Sequence, residues 1–148
     1  MAQVVAINIS ENKGEQKQSI NEGYFEINSG LQGDAHAGNW HRQVSLLGME
    51  SINKVKNTEL IDLENGSFAE NLTTDGIILF ELPIGTTLQI GETLMEVTQI
   101  GKECHQGCAI REKTGDCVMP REGVFARVLT GGRVQAGDDV LVVPGRKL

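Results

Sequence analysis

Hydrophobic and polar positions alternate over short distances along most of this chain. "QVVAINIS", Gln3 to Ser10, alternates weakly and is rich in β-branched residues, which predicts an opening strand. The polar run "ENKGEQKQS" then breaks the pattern. "GLQGDAHAGNWHRQVSLLG" carries four glycines and closes on a short apolar strand around Val44 to Leu47. In "MESINKVKN" the apolar residues Met49, Ile52 and Val55 recur every third position, the spacing of one short amphipathic helix. Two strand-and-turn units follow. "LPIGTTLQIGETLMEVTQIG" places Gly85, Gly91 and Gly101 at the corners of β-rich segments, and "FARVLTGGRVQAGDDVLVV" does the same with Gly131, Gly132 and Gly137. Pro83, Pro120 and Pro144 sit at segment edges, where a missing N–H does least harm. The pattern predicts a single domain over residues 1–148, mostly β, built as a Greek-key barrel with one or two short helices.

At 148 residues the chain is long enough to bury one core without staples, and 39% hydrophobic with 22% charged residues fits a globular protein. A net charge of -7 argues against nucleic acid as partner, since phosphate backbones demand a basic surface. A small anionic ligand stays compatible with it where a few cations converge. No apolar run approaches the length of a membrane span, and the first residues lack the features of a secretory signal. The expected location is the cytoplasm. No heptad or long apolar stripe points to an interface, so monomer and dimer are both compatible with the sequence.

"GKECHQGCAIREKTGDCVMPREG", residues 101–123, holds all three cysteines: Cys104, Cys108 and Cys117. An odd count in a reducing compartment argues against a structural disulfide. The residue types suit zinc, but C-x3-C and C-x8-C are not the spacings of paired zinc knuckles. Three buried thiols packed as small hydrophobes is another account, though "GKECHQGC" is polar for a core. A reactive thiol fits better. Lys102 and His105 flank Cys104, with Arg111 and Arg121 in the same stretch, and nearby cations favour the thiolate. Cys108 or Cys117 then serves as a resolving partner. Such a thiol suits sulfur transfer, ligation of a soft metal such as molybdenum, or redox sensing.

"GDAHAGNWH" offers glycines that let backbone N–H groups converge on an anion, with His36 as a further donor; a merely structured loop is the plainer alternative. Trp40 and His41 are expected to pack. In "FAENLTTDG", Asn71 is suited either to capping backbone groups or to reading the edge of a heterocycle. Glu70 beside it is a site candidate or a solvated surface charge. Arg127, on a strand with Val124 and Phe125, is an anion clamp or one half of a surface salt bridge. No P-loop, G-x-G-x-x-G after a strand, H-E-x-x-H or G-x-S-x-G occurs.

"GDAHAGNWHRQVSLL", "FAENLTTDGI", "LPIGTTLQIGETLMEVTQIGKECH" and "MPREGVFARVLTGGRVQAGDDV" together resemble the MOSC domain, the C-terminal domain of molybdenum cofactor sulfurases. The similarity runs from about Val4 to Val143, and the pairing of F-x-E-N-L with a later V-T-Q-x-G-x-x-C is its most specific part. The chain looks like a small stand-alone member of bacterial type. The resemblance implies a β-barrel and a functional cysteine after the long central strand, here Cys104, as sulfur acceptor or molybdenum ligand. Cys117 and then Cys108 are the alternatives, both additional to the minimal family pattern. It implies a sulfur-carrier or cofactor-binding domain of molybdenum cofactor metabolism. Its partners would be a pyridoxal-phosphate-dependent cysteine desulfurase and the enzymes or biosynthesis proteins of the cofactor. Pyridoxal phosphate itself is expected on the partner and not on this chain. The molybdopterin phosphate would be met by His36, Lys102, Arg121 and Arg127, with Glu70 and Asn71 facing the same pocket. Two other functions fit the same residues. One is a stand-alone molybdenum-dependent reductase of N-hydroxylated compounds, for which the chain lacks room for the extra N-terminal barrel usual in such members. The other is a zinc-stabilised interaction domain without chemistry.

Overall fold

Strands follow the glycine punctuation closely. Residues 2–10, 18–35, 37–40, 42–50, 70–101 and 122–143 are described here, from a computed structural model. In chain order they form β1 (Gln3–Ile9), β2 (Gln18–Ile20), β3 (Glu22–Glu26), β4 (Gly30–Leu31), β5 (Val44–Gly48) and β6 (Leu72–Asp75). A single 3₁₀ turn, Leu79–Glu81, precedes β7 (Thr87–Ile90), β8 (Thr93–Ile100), β9 (Val124–Thr130), β10 (Gly132–Gln135) and β11 (Val140–Val142). Both glycine-cornered units of the sequence are present. Gly91 turns β7 into β8, and Gly131 and Gly137 bound β10. The amphipathic helix expected from Met49 falls largely outside the described residues.

Eight strands make one sheet in the order β11-β7-β8-β9-β5-β6-β1-β2, and β10-β3-β4 form a second. All pairings are antiparallel except one: β5 runs parallel to β6, with Leu46 opposite Leu72. A parallel neighbour cannot be reached through a tight hairpin, so residues 49–71 have to cross over between them.

The expected barrel is not established by strand pairing. The ladder stops at β11 on one edge and at β2 on the other. β1 meets the approach to β11 only through an isolated bridge, Gln3 to Asp139, and short backbone bonds such as Gly137 N–H to Val4 C=O at 2.7 Å. The register of β1 shifts between Val4 and Ala6, and an irregularity of that kind lets a strand turn from one neighbour toward another without a full ladder.

Alternation places the core. Val4, Ile7, Val44, Leu46, Leu72, Met95, Val97, Val124, Ala126 and Val128 turn one face of the large sheet inward, onto Phe25 and Leu31 of the small sheet. Strand β5 is buried on both faces: Ser45 and Leu47, between the core positions, are themselves 7% and 0% exposed. Phe25, fully buried between the sheets, is the largest side chain of the core. Phe25→Ala is expected to cost about 3–5 kcal/mol, a large share of a small domain's stability, read as a lower urea midpoint at unchanged slope.

Candidate functional site

A row of side chains, polar except for Phe125, crosses the large sheet. Ser19 on β2 is opposite Asn8 on β1, Ser45 on β5 is opposite Phe125 on β9, and Phe125 is opposite Gln99 on β8. Asn71 closes the gap between Asn8 and Ser45. Its Oδ1 accepts from the Ser45 N–H at 3.0 Å and the Ser45 hydroxyl at 3.1 Å, while its Nδ2 donates to the Asn8 carbonyl at 3.2 Å. Its backbone N–H donates to the Ser45 carbonyl at 2.8 Å, and its carbonyl accepts from the Asn8 N–H at 2.7 Å. The amide is fully buried and links β1 to β5 at the start of the parallel pair.

Glu70 is also fully buried, so it is not a solvated surface charge. The Thr73 hydroxyl donates to Glu70 Oε2 at 2.7 Å, Asn8 Nδ2 donates to Thr73 Oγ1 at 2.9 Å, and the Ser19 hydroxyl donates to Asn8 Oδ1 at 2.8 Å. The E-N-L block is therefore the root of a hydrogen-bonded network that runs from β6 to β2. Low local dielectric strengthens each of these bonds and makes each one costly to break.

The glycine-rich loop before β5 is anchored from within. Asp34, 7% exposed, accepts the Ser10 N–H at 3.0 Å, and the Ala35 N–H donates to the Ser10 carbonyl at 2.9 Å. The N–H groups of Asp34, Ala37, Gly38 and Trp40 donate to Leu31, Asp34, Ser29 and Gly38 carbonyls. These four backbone donors of the loop are thus engaged by the protein. Gly30 permits the turn: its φ is +124°, and a Cβ there would stand 2.4 Å from the Gln43 carbonyl oxygen. His36 and His41 lie outside the described residues.

At the end of this loop Arg42 extends over two rings. Its Cζ is 4.6 Å from the Trp40 centroid and 5.7 Å from that of Phe125. The Arg42 Nε is buried and has no hydrogen-bond partner. Sequence reasoning passed over Arg42 because its meaning depends on Phe125, far along the chain. It also passed over Ser45 and Asn8, whose only sequence signal is a polar residue inside a strand that is otherwise apolar.

Cys104, Cys108 and Cys117 lie outside the described residues, as do Lys102 and Arg121; the two ends of their segment are described. β8 ends at Ile100 and β9 begins at Val124, directly opposite. The Gly101 N–H donates to the Gly123 carbonyl at 2.7 Å, and Gln99 Nε2 donates to the Gly101 carbonyl at 2.7 Å. Gly101 holds φ +75°, a conformation that suits glycine as the chain leaves the strand. The cysteine segment therefore leaves and re-enters the sheet through one hydrogen-bonded gate, at the Gln99 end of the polar row. Arg127 stands further along β9, and its Nε meets Glu96 Oε1 at 2.6 Å in a cross-strand ion pair. The pair lines an open cleft of about 410 Å³ with Trp40, Gln43, Asn28 and Thr98. Among the described residues no group of three or more His, Cys, Asp or Glu is placed to hold a metal ion.

Two substitutions separate the buried network from the surface pair. Asn71→Ala strands the Ser45 N–H and the Asn8 carbonyl in the interior and is expected to lower unfolding free energy by about 2–4 kcal/mol in urea denaturation. Arg127→Ala removes a half-exposed ion pair and should change it by only about 0–1 kcal/mol.

The fold is shared with solved structures of low sequence identity. YuaD from Bacillus subtilis superposes with a TM-score of 0.77 at 17% identity, covering 95% of this chain and 94% of that one. YiiM from Geobacillus stearothermophilus gives 0.74 at 18% identity over 97% of this chain and 75% of its own, and YiiM from Escherichia coli 0.68 at 18% over 100% and 72%. No curated protein matches the sequence. The MOSC domain family model matches residues 33–141, from the glycine-rich loop through the E-N-L block and the cysteine segment to β11, and the chain belongs to the MOSC domain family, which is associated with the molybdenum cofactor.

Proposed function

We propose that this chain is a sulfur-carrier or cofactor-binding module of molybdenum cofactor metabolism, with Cys104 as its working thiol. The observation that carries this reading is the gate at the end of β8. A reactive thiol needs a rigid frame and an accessible position, and the Gly101–Gly123 bond pins both ends of the segment holding every cysteine. Cys104 follows β8, the longest strand, by four residues. The chain's chemistry fits the cofactor in two respects. Thiolates suit a soft metal, and the buried Arg42 Nε without an acceptor fits a group that brings negative charge. Cys104 would supply the thiolate, and the cofactor when bound would supply the redox-active metal. The same reading closes the sheet into the family's barrel, which the Gln3–Asp139 bridge supports, and it puts the protein in a reducing cytoplasm where the thiols stay free.

As a carrier, the Cys104 thiolate attacks the outer sulfur of a persulfide on a cysteine desulfurase. A new sulfur–sulfur bond forms on Cys104, the donor's sulfur–sulfur bond breaks, and the donor leaves as thiolate. No external oxidant is needed. Protein purified anaerobically and incubated with a desulfurase and cysteine should gain the mass of one sulfur, removable by reductant and mapped to Cys104. Cys104→Ser should abolish the gain while the thermal midpoint stays unchanged. An unchanged rate of sulfur uptake in Cys104→Ser would show that a different cysteine works. Molybdenum and pterin retained in the same sample would make the chain a cofactor holder and not a carrier.

A further inference from the structure

We propose that Arg42 is a phosphate-binding residue, its guanidinium displayed by Trp40 and Phe125 for the oxyanion of an organic phosphate. The protein has 20 acidic residues and 13 Lys and Arg, a surplus that normally supplies every buried cation with a carboxylate. Among the described residues, none pairs with Arg42. The contrast with the other arginines among the described residues is direct: Arg127 meets Glu96 at 2.6 Å and Arg133 meets Glu22 at 3.2 Å. Burying a charged donor without an acceptor is unfavourable, and the Arg42 Nε is in that position.

The rings do not satisfy this donor. Aromatic contact uses the faces of a guanidinium, whereas its five N–H bonds point outward in its plane. Trp40 and Phe125 therefore hold the side chain without supplying an acceptor to it. A planar fork of this kind suits a two-oxygen contact with phosphate. The location agrees. Phe125 follows Gly123 by two residues, roughly 7 Å of strand, so a phosphate on Arg42 would lie near the described end of β9 where the cysteine segment rejoins the sheet. Trp40 also lines the 410 Å³ cleft, which has room for the body of an ester. The inference deepens the proposed function, but it does not depend on Cys104.

Trp40 is the chain's single tryptophan, so its fluorescence reports the site directly. The protein would be titrated with inorganic phosphate, glycerol phosphate and acetate at constant ionic strength, with the thermal midpoint followed in parallel. The expected result is a saturable change and a raised midpoint with both phosphates, and at least tenfold weaker binding of acetate. Arg42→Gln should weaken phosphate at least tenfold, Arg42→Lys less than that, and Arg133→Gln by less than twofold. Tighter binding of the ester than of free phosphate would identify the ligand as an organic phosphate. Equal binding would identify the phosphate group alone as what is read. No saturable change in the wild-type protein overturns the proposal, as does acetate binding equal to phosphate. Should Arg42→Gln not fold, an unchanged affinity in Arg42→Lys and Arg133→Gln alike would overturn it as well. Cys104→Ser should bind phosphate normally, so failure of the thiol assignment and failure of the phosphate site are read separately.

Discussion

Asn71 holds a joint of the sheet that no tight turn can set. Antiparallel neighbours joined by tight turns find their register locally, but the parallel β5–β6 pair is joined by a long crossover and has no turn to set it. A single amide supplies what the turn would have supplied. It accepts from the backbone and hydroxyl of Ser45 on one side and donates to the Asn8 carbonyl on the other. Register errors there would unpair buried polar groups on three strands at once. The E-N-L block is thus both a family signature and the physical key to the fold.

From that lock the network spreads to Glu70, Thr73 and Ser19 on one side, and the row continues to Phe125 and Gln99 on the other. Gln99 reaches the Gly101 carbonyl, and Gly101 binds Gly123. The part of the chain with reactive residues is therefore tied to the most constrained part of the sheet through side chains in a single row. Functional residues carried between strands of a rigid scaffold are a common division of labour in β proteins.

Much of this was legible in the sequence where the cause was local. Short β-branched runs between glycines predicted the strands β1, β5, β7, β8 and β9, since alternation and turn chemistry are read within a few residues. The candidate site was less legible because its causes are distant. Asn8 and Thr73 are 65 positions apart, and no pattern in either stretch announces the other. Glu70 reads equally well as a solvated charge until the fold buries it. Arg42 was hidden for the same reason: an arginine before an apolar strand has no sign of the ring that Phe125 brings to it. Barrel closure was inferred from corner glycines, which fix where strands turn but not whether the last strand finds the first.

The gate at Gly101 and Gly123 also bears on how the segment between them can change over generations. Bringing two chain ends together is costly once, and further length adds little: doubling such a loop costs only about 0.6 kcal/mol. With the ends pinned by the sheet itself, insertions, deletions and new cysteines between them leave the register of β8 and β9 undisturbed. Cys108 and Cys117 both fall between these pinned ends. The scaffold thereby separates two demands: register is held in the amide-locked sheet, and length and composition stay open between Gly101 and Gly123.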